Sequence, residues 1–350
     1  MSRLRLDPYI LLLLTTVAVA SLLPARGIVA VECQHATTLA IGLLFFLYGA
    51  RLSTRAALAG LRHWRLHGLV LAFTFLVFPV LGLMCRVLVP DVLTPELYAG
   101  VMFLCCLPSA VQSSIAFSSI AKGNIAAAIC SASFSNLIGI VLTPVLVTVF
   151  LVTQPGGGVS LTAIRDILLQ LLVPFVAGQL LQRWIGGFMA RHKKVLGYVD
   201  RGSILLVVYA AFSEGVVAGI WHRLTVPSLV ALFIANATLL GIVIVSTMTV
   251  ARRLRFSTED QIAIVFCGSK KSLASGLPLA SVLLPAATAG LMVVPLMMFH
   301  QMQLIVCAWL ARRYGARRDP ATSQRISPVN SRARTALAIS APGPAVDAGT

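Results

Sequence analysis

The sequence predicts an all-α, polytopic membrane protein whose ten transmembrane helices form two inverted five-helix repeats. Three observations predict it: a composition far from that of soluble proteins, ten apolar stretches of membrane-crossing length, and basic residues concentrated in alternate loops. Of 350 residues, 58% are hydrophobic and 11% charged, and the mean hydropathy is +0.91. Soluble domains carry about 25% charged residues, so a water-soluble enzyme or binding module is excluded.

An apolar run of about 20 residues crosses a hydrocarbon layer about 30 Å thick. The ten runs are Pro8 to Leu23, Thr37 to Ala50, Gly68 to Val89, Tyr98 to Ala121, Ile125 to Val152, Ile167 to Leu181, Ile204 to Ile220, Val226 to Val250, Ile262 to Leu284 and Leu291 to Leu310. A net charge of +17 could suggest nucleic acid, but its distribution is topological. With the N-terminus in the cytoplasm, inward segments carry Arg3 and Arg5; Arg51, Arg55, Arg62 and Arg65; Lys122; Arg183, Arg191, Lys193, Lys194 and Arg201; Arg252, Arg253 and Arg255; and the tail from Arg312. Outward segments hold only Arg26, Arg86, Arg165 and Arg223. That bias puts both termini in the cytoplasm and predicts a multi-pass protein of the plasma membrane, the inner membrane in a bacterium. Arg3 and Arg5 before an apolar run ending in Ala18-Val19-Ala20-Ser21 also fit a signal peptide; a retained first helix preserves the parity of the two halves.

Six of the seven cysteines (Cys85, Cys105, Cys106, Cys130, Cys267 and Cys307) fall in or at the ends of spans, and only Cys33 is expected on the outer side. Neither a metal-ligand spacing nor a cofactor motif is present in the sequence. The halves are residues 1–153 and 160–311, joined by an outer linker, 154–159, that contains Gln154-Pro155-Gly156-Gly157-Gly158; residues 312–350 form a tail predicted to be disordered. Five spans is an odd number, so the second half enters the membrane from the opposite side, as an inverted repeat requires.

The fourth span of each half carries an anomaly. In the first half it is Leu107-Pro108-Ser109-Ala110-Val111-Gln112-Ser113-Ser114. In the second it is Phe266-Cys267-Gly268-Ser269-Lys270-Lys271-Ser272-Leu273-Ala274-Ser275-Gly276-Leu277-Pro278. A lysine at membrane depth costs about 3 kcal/mol on insertion scales, and the surrounding glycines, serines and prolines predict unwound backbone whose carbonyls could receive it. Two kinked helices with serines bonded to their own carbonyls are the alternative; the lysine pair favours a ligand site. Consecutive helical residues diverge by about 100°, so one lysine can fill the crossover while the other faces a cavity or an interface.

At these residues the chain resembles the bile acid:sodium symporter superfamily, most closely its SBF-like branch. The resemblance rests also on Phe45-Phe46-Leu47-Tyr48-Gly49-Ala50-Arg51-Leu52-Ser53 and on Lys122-Gly123-Asn124-Ile125-Ala126-Ala127-Ala128. It implies a panel domain (spans one, two, six and seven), a core domain (three to five and eight to ten), and unwound fourth and ninth spans that cross. In sodium-coupled members the ninth helix carries a Glu followed by a Gln-Asn-Ser-Gly run. Aligning the shared Ser-Gly on Ser275-Gly276 puts Ser269 in place of that Glu, and Leu273 and Ala274 in place of the amides. Hydroxyl ligands on the fifth helix fall on Ala128 and Ala132. The resemblance thus implies a fold that has lost at least two sodium sites.

The candidate crossover residues are Gln112, Ser113, Ser114, Ser269, Lys270, Lys271, Ser272 and Ser275, with Glu214 either a counter-charge or a residue of the outer interface. His300, Asn136 and Asn236 are expected to join helices, and Phe73, Phe75 and Phe78 to face lipid or pack. The function expected is secondary transport of a small organic anion across the bilayer by alternating access, with a proton or sodium as the coupling ion if one is used. A non-transporting regulator or receptor on the same fold is the alternative. Enzyme motifs such as His-Glu-x-x-His or Gly-x-Ser-x-Gly are absent from the sequence.

Overall fold

The computed structural model describes residues 8–51, 63–152, 161–219, 224–284 and 286–317. Arg3, Arg5, Arg55, Arg62 and Arg223, the linker and the tail beyond Arg317 lie outside the described residues. The described elements are all helical: α1 (Pro8–Leu22), α2 (Ile28–Arg51), α3 (Trp64–Leu88), α4 (Pro95–Cys106), α5 (Val111–Ile120), α6 (Ile125–Val147), α7 (Leu161–Arg191), α8 (Lys193–Val217), α9 (Val226–Arg253), α10 (Thr258–Gly268), α11 (Leu273–Leu283) and α12 (Ala286–Arg317). Among the described residues, six helices are long and apolar enough to cross a membrane, or seven if α4 and α5, bent by 63°, form one span. The chain is therefore a polytopic membrane protein. Three predicted spans are not in that set: the first is a helix of 15 residues, the ninth is two helices of 11 residues each, and the sixth falls within α7, a helix of 31 residues. α12 continues helically to Arg317, past the boundary predicted at residue 311.

α1, α2, α7 and α8 pack among themselves, while α3 to α6 and α9 to α12 form the larger group; α8 joins the two through α11 and α12, and α6 through α7. Glycine sets the tightest crossing. A Cβ on Gly49 of α2 would lie 2.0 Å from the Phe175 carbonyl oxygen of α7, and one on Gly178 would lie 2.0 Å from that of Phe46. Backbone meets backbone there, as small residues permit in membranes. Arg51 and Asp200 form an ion pair that ties the end of α2 to α8, a partnership the sequence reading missed.

The turn between α5 and α6 explains the Gly-Asn pair. Lys122 takes a left-handed conformation (φ 57), and Gly123 approaches α10 so closely that a Cβ would lie 2.4 Å from Ile262. Asn124 caps α6 by accepting from Ala127 N at 2.9 Å and donates to Asp260 at 2.8 Å. Large side chains on α9, among them Val230, Phe233, Ile234 and Val245, are exposed, as a lipid-facing surface requires.

Candidate functional site

Two helix breaks build the site. Pro108 lacks an N–H and its ring clashes with a continuing helix, so the chain is extended at Leu107 and resumes as α5 after Ala110. In the second break, Ser272 is extended and caps α11, its hydroxyl accepting from Ser275 N at 3.1 Å. Buried backbone carbonyls need partners, and the first break finds them from Cys105 to Ser109. Lys271 Nζ donates to the carbonyls of Cys105 at 2.8 Å and Leu107 at 2.7 Å. Thr143 takes the Cys106 carbonyl at 2.9 Å, Ser272 N that of Pro108 at 2.9 Å, and Asn136 Nδ2 that of Ser109 at 2.7 Å. Serines of the first break reciprocate: Ser109 Oγ donates to Cys267 O at 2.6 Å and Ser114 Oγ to Phe266 O at 2.8 Å. The two breaks are thus laced together.

The third partner of Lys271 Nζ is the Thr74 carbonyl, at 2.8 Å. α3 contains a π turn over Phe73–Val77, in which Phe78 N bonds the Phe73 carbonyl. The next residue in that register, Pro79, has no N–H to offer. Thr74 is left with a free carbonyl pointing at the breaks, a use of a π turn common at functional sites. Three carbonyls match the three N–H donors of an ammonium; a neutral amine has two. The Phe78 ring centroid lies 4.1 Å from Nζ, adding a cation–π contact. Hydrogen bonds to a charged group contribute about 1.5–3 kcal/mol each, so three exceed the insertion cost of about 3 kcal/mol for a central lysine. Gln303 on α12 clamps the backbone of the same residue, accepting from Lys271 N and donating to Lys271 O, both at 2.8 Å.

Lys270 is different. Its side chain is fully buried, but among the described residues its ammonium donates only to Ser113 Oγ, at a long 3.2 Å, and otherwise meets the rings of Phe117 at 4.4 Å and Phe266 at 5.7 Å. Ser113 and Phe117 are half-buried and Gln112 is exposed, so Lys270 lies one side chain beneath the surface of α5.

The candidate residues therefore separate. Ser113, Ser114, Lys270, Lys271, Ser272 and Ser275 meet at the breaks, where Ser275 Oγ donates to Asn136 Oδ1 at 2.8 Å. Ser269 turns back to bond Val265 O at 2.6 Å. Ser114 bonds the second break rather than a lysine. Glu214, half-buried one turn before the end of α8, is not a partner of either ammonium. Asn136 and Asn236 join helices, Asn236 by donating to Pro295 O at 3.1 Å. Phe73, Phe75 and Phe78 are buried rather than lipid-facing, and Phe78 is part of the lysine's surroundings. Ala128 and Ala132 are fully buried beside Cys267 and Ile264, and the neighbouring Ser131 is engaged by His67, 2.7 Å from its Nδ1.

Thr74, Phe78 and Gln303 were missed from sequence. A signal existed for Thr74 in the proline five residues later, and for Gln303 in an amide at i+3 from His300 on an apolar helix. Tyr48 Oη donates to the carbonyl of the exposed Ala274 at 3.4 Å, placing α2 against the first turn of α11.

Residues 7–316 match the SBF-like CPA transporter family. The chain is 55% identical over 317 residues to the uncharacterized protein PA2026 of Pseudomonas aeruginosa, covering 91% of this chain and 95% of that one. It is 51% identical over 322 residues to the "Putative symporter YfeH" of Escherichia coli, covering 92% and 97%. Sodium/bile acid cotransporter 7 of Danio rerio is 27% identical over 312 residues, covering 87% and 92%. The match runs from the first helix through both breaks to the end of α12, and the chain is a member of the SBF-like CPA transporter family.

Proposed function

We propose that the protein is a secondary transporter of a small organic anion in which the ammonium of Lys271 takes the place of a coupling cation at the crossover. The observation that carries this reading is the cage of three carbonyls around Lys271 Nζ. Backbone carbonyls from unwound helices are the groups with which secondary transporters coordinate ions near the bilayer midplane. A second cation beside a resident ammonium is repelled by about 4 kcal/mol at 4 Å and an effective dielectric of 20. Lys270, with one long hydrogen bond, supplies the positive charge for the anion, with Ser113 beside its ammonium and Gln112 exposed next to Ser113 on α5. α1, α2, α7 and α8 serve as the panel, and the remaining helices as the core that moves against it.

Sodium and bile acid belong to the name of the Danio rerio relative; for this chain the reading assigns an organic anion and no sodium. Uptake into proteoliposomes, or ligand-induced thermal stabilisation, should be the same in sodium as in equal choline at fixed pH. A strong loss in choline would mean that hydroxyls and carbonyls rebuild a sodium site despite the lysines.

The charge distribution supports ten spans in two inverted repeats, residues 1–153 and 160–311, with both ends in the cytoplasm of a bacterial inner membrane. In a Cys33→Ser background, a thiol introduced at Gly157 should react with an impermeant reagent from outside, and one at Ala316 only after permeabilisation. The opposite pattern would reverse the topology.

A further inference from the structure

We infer that the cytoplasmic end of α3 carries a seat for the phosphate of an anionic phospholipid, a site separate from the crossover. A cavity of about 250 Å³ opens there, lined by His63, Trp64, Arg65, Arg255, Phe256 and Asp260, among others. It is smaller than a drug-sized pocket of about 300–1,000 Å³ and of a size for a compact headgroup. Among the described residues neither guanidinium in the lining has a carboxylate in ion-pair contact: Arg65 stacks over the Phe256 ring at 5.7 Å, and Arg255 is exposed. The carboxylate present, Asp260, accepts from Asn124 and sits in the first turn of α10, where the helix dipole favours it. Arginine offers a planar fork matched to phosphate oxygens, and Ser257 adds a hydroxyl at the rim.

A lipid rather than a dissolved phosphate is assigned because of what surrounds the cavity. Trp64 is 72% exposed and Leu254 44% exposed, beside Arg252 and Arg253 in the last turn of α9. An exposed indole next to clustered arginines at the cytoplasmic end of membrane helices is the pattern that meets anionic headgroups. Acyl chains can then follow the exposed apolar face of α9, where Ile242 and Val245 lie. Arg255 takes a left-handed conformation (φ 55), closing α9 with a turn in which Phe256 N bonds Ala251 O at 3.2 Å; that turn brings Arg255 and Phe256 to the cavity lining.

The test uses the purified full-length protein in a neutral detergent. Short-chain phosphatidylglycerol, phosphatidylcholine of equal chain length, and inorganic phosphate at matched ionic strength are titrated separately while thermal stability is followed. Phosphatidylglycerol should raise the melting temperature in a saturable way, and the other two should not. An Arg65→Gln/Arg255→Gln variant should lose more than half of that rise, whereas an Arg312→Gln/Arg313→Gln variant should keep it. Because Arg255 occupies a conformation that suits glycine, Arg255→Gly keeps the turn and serves as the folded variant should the double change prove unstable. Equal responses to both lipids, or a full response in the Arg65/Arg255 variants, would overturn the seat. A full response to inorganic phosphate alone would overturn its assignment to a lipid.

Discussion

Lys271→Met should be the most destabilising single substitution at the crossover. Methionine fills a similar volume and removes a buried charge, but it leaves the carbonyls of Thr74, Cys105 and Leu107 without donors. An unsatisfied buried polar group costs about 1–3 kcal/mol, so the loss is roughly 3–9 kcal/mol less the lysine's own desolvation. At about 2–4 °C per kcal/mol for a large domain, a fall in melting temperature of roughly 10 °C is expected, with weakened expression. Lys271→Ala opens space for a free cation, and ethylammonium should restore part of its stability where choline does not. A Lys271→Met protein as stable as the unmodified one would show that the cage is incidental.

Lys270→Met should have the opposite profile, with function lost and the fold kept. Its ammonium gives up one long hydrogen bond to Ser113, and a methionine sulfur is compatible with the rings of Phe117 and Phe266. Removing one charge of a partly desolvated ion pair typically costs 2–5 kcal/mol of binding, or roughly 30-fold or more in affinity at 1.4 kcal/mol per factor of ten. Anion-dependent stabilisation and uptake should fall by at least tenfold, while Lys122→Met, at the α5–α6 turn, should change either by less than twofold. Retained affinity in the Lys270 variant would remove that residue from the anion site and leave Gln112 and the serines to account for it.

The two positions of interruption could be read from sequence because each is announced by a residue type that a membrane helix tolerates only with compensation: Pro108, and two adjacent lysines. Which lysine would be caged could not be read. That choice depends on Thr74, and its free carbonyl arises from a π turn and a proline on a third helix, which no pattern within either break encodes. Gln303 is similar: its amide matters only because α12 runs beside Lys271. The serines taken as a group from their spacing divide on geometry, since Ser269 satisfies its own helix while Ser113 faces an ammonium. Pairing of Glu214 with a lysine, one of its two readings beside the outer interface, rested on charge alone, and three carbonyls and a ring remove the need for it at Lys271. Long-range partners such as Arg51 and Asp200, 149 residues apart, depend on packing that the sequence does not spell out.

The cage of Lys271 has a thermodynamic consequence. Its three carbonyls come from α3, α4 and the α4–α5 break, so in the proposed alternating-access cycle the helices that move would carry the ammonium with them. A dissolved ion that binds on one side and leaves on the other delivers the free energy of its gradient to the substrate. A tethered one returns with the empty carrier. Crossing the full membrane field costs or yields about 2.3 kcal/mol per charge at 100 mV; over a closed cycle the two contributions from a tethered ammonium cancel. Voltage can then change how long the carrier waits on each side, and so its rate, without setting how far the anion accumulates. The accumulation limit is left to the anion's own charge and to any proton that travels with it.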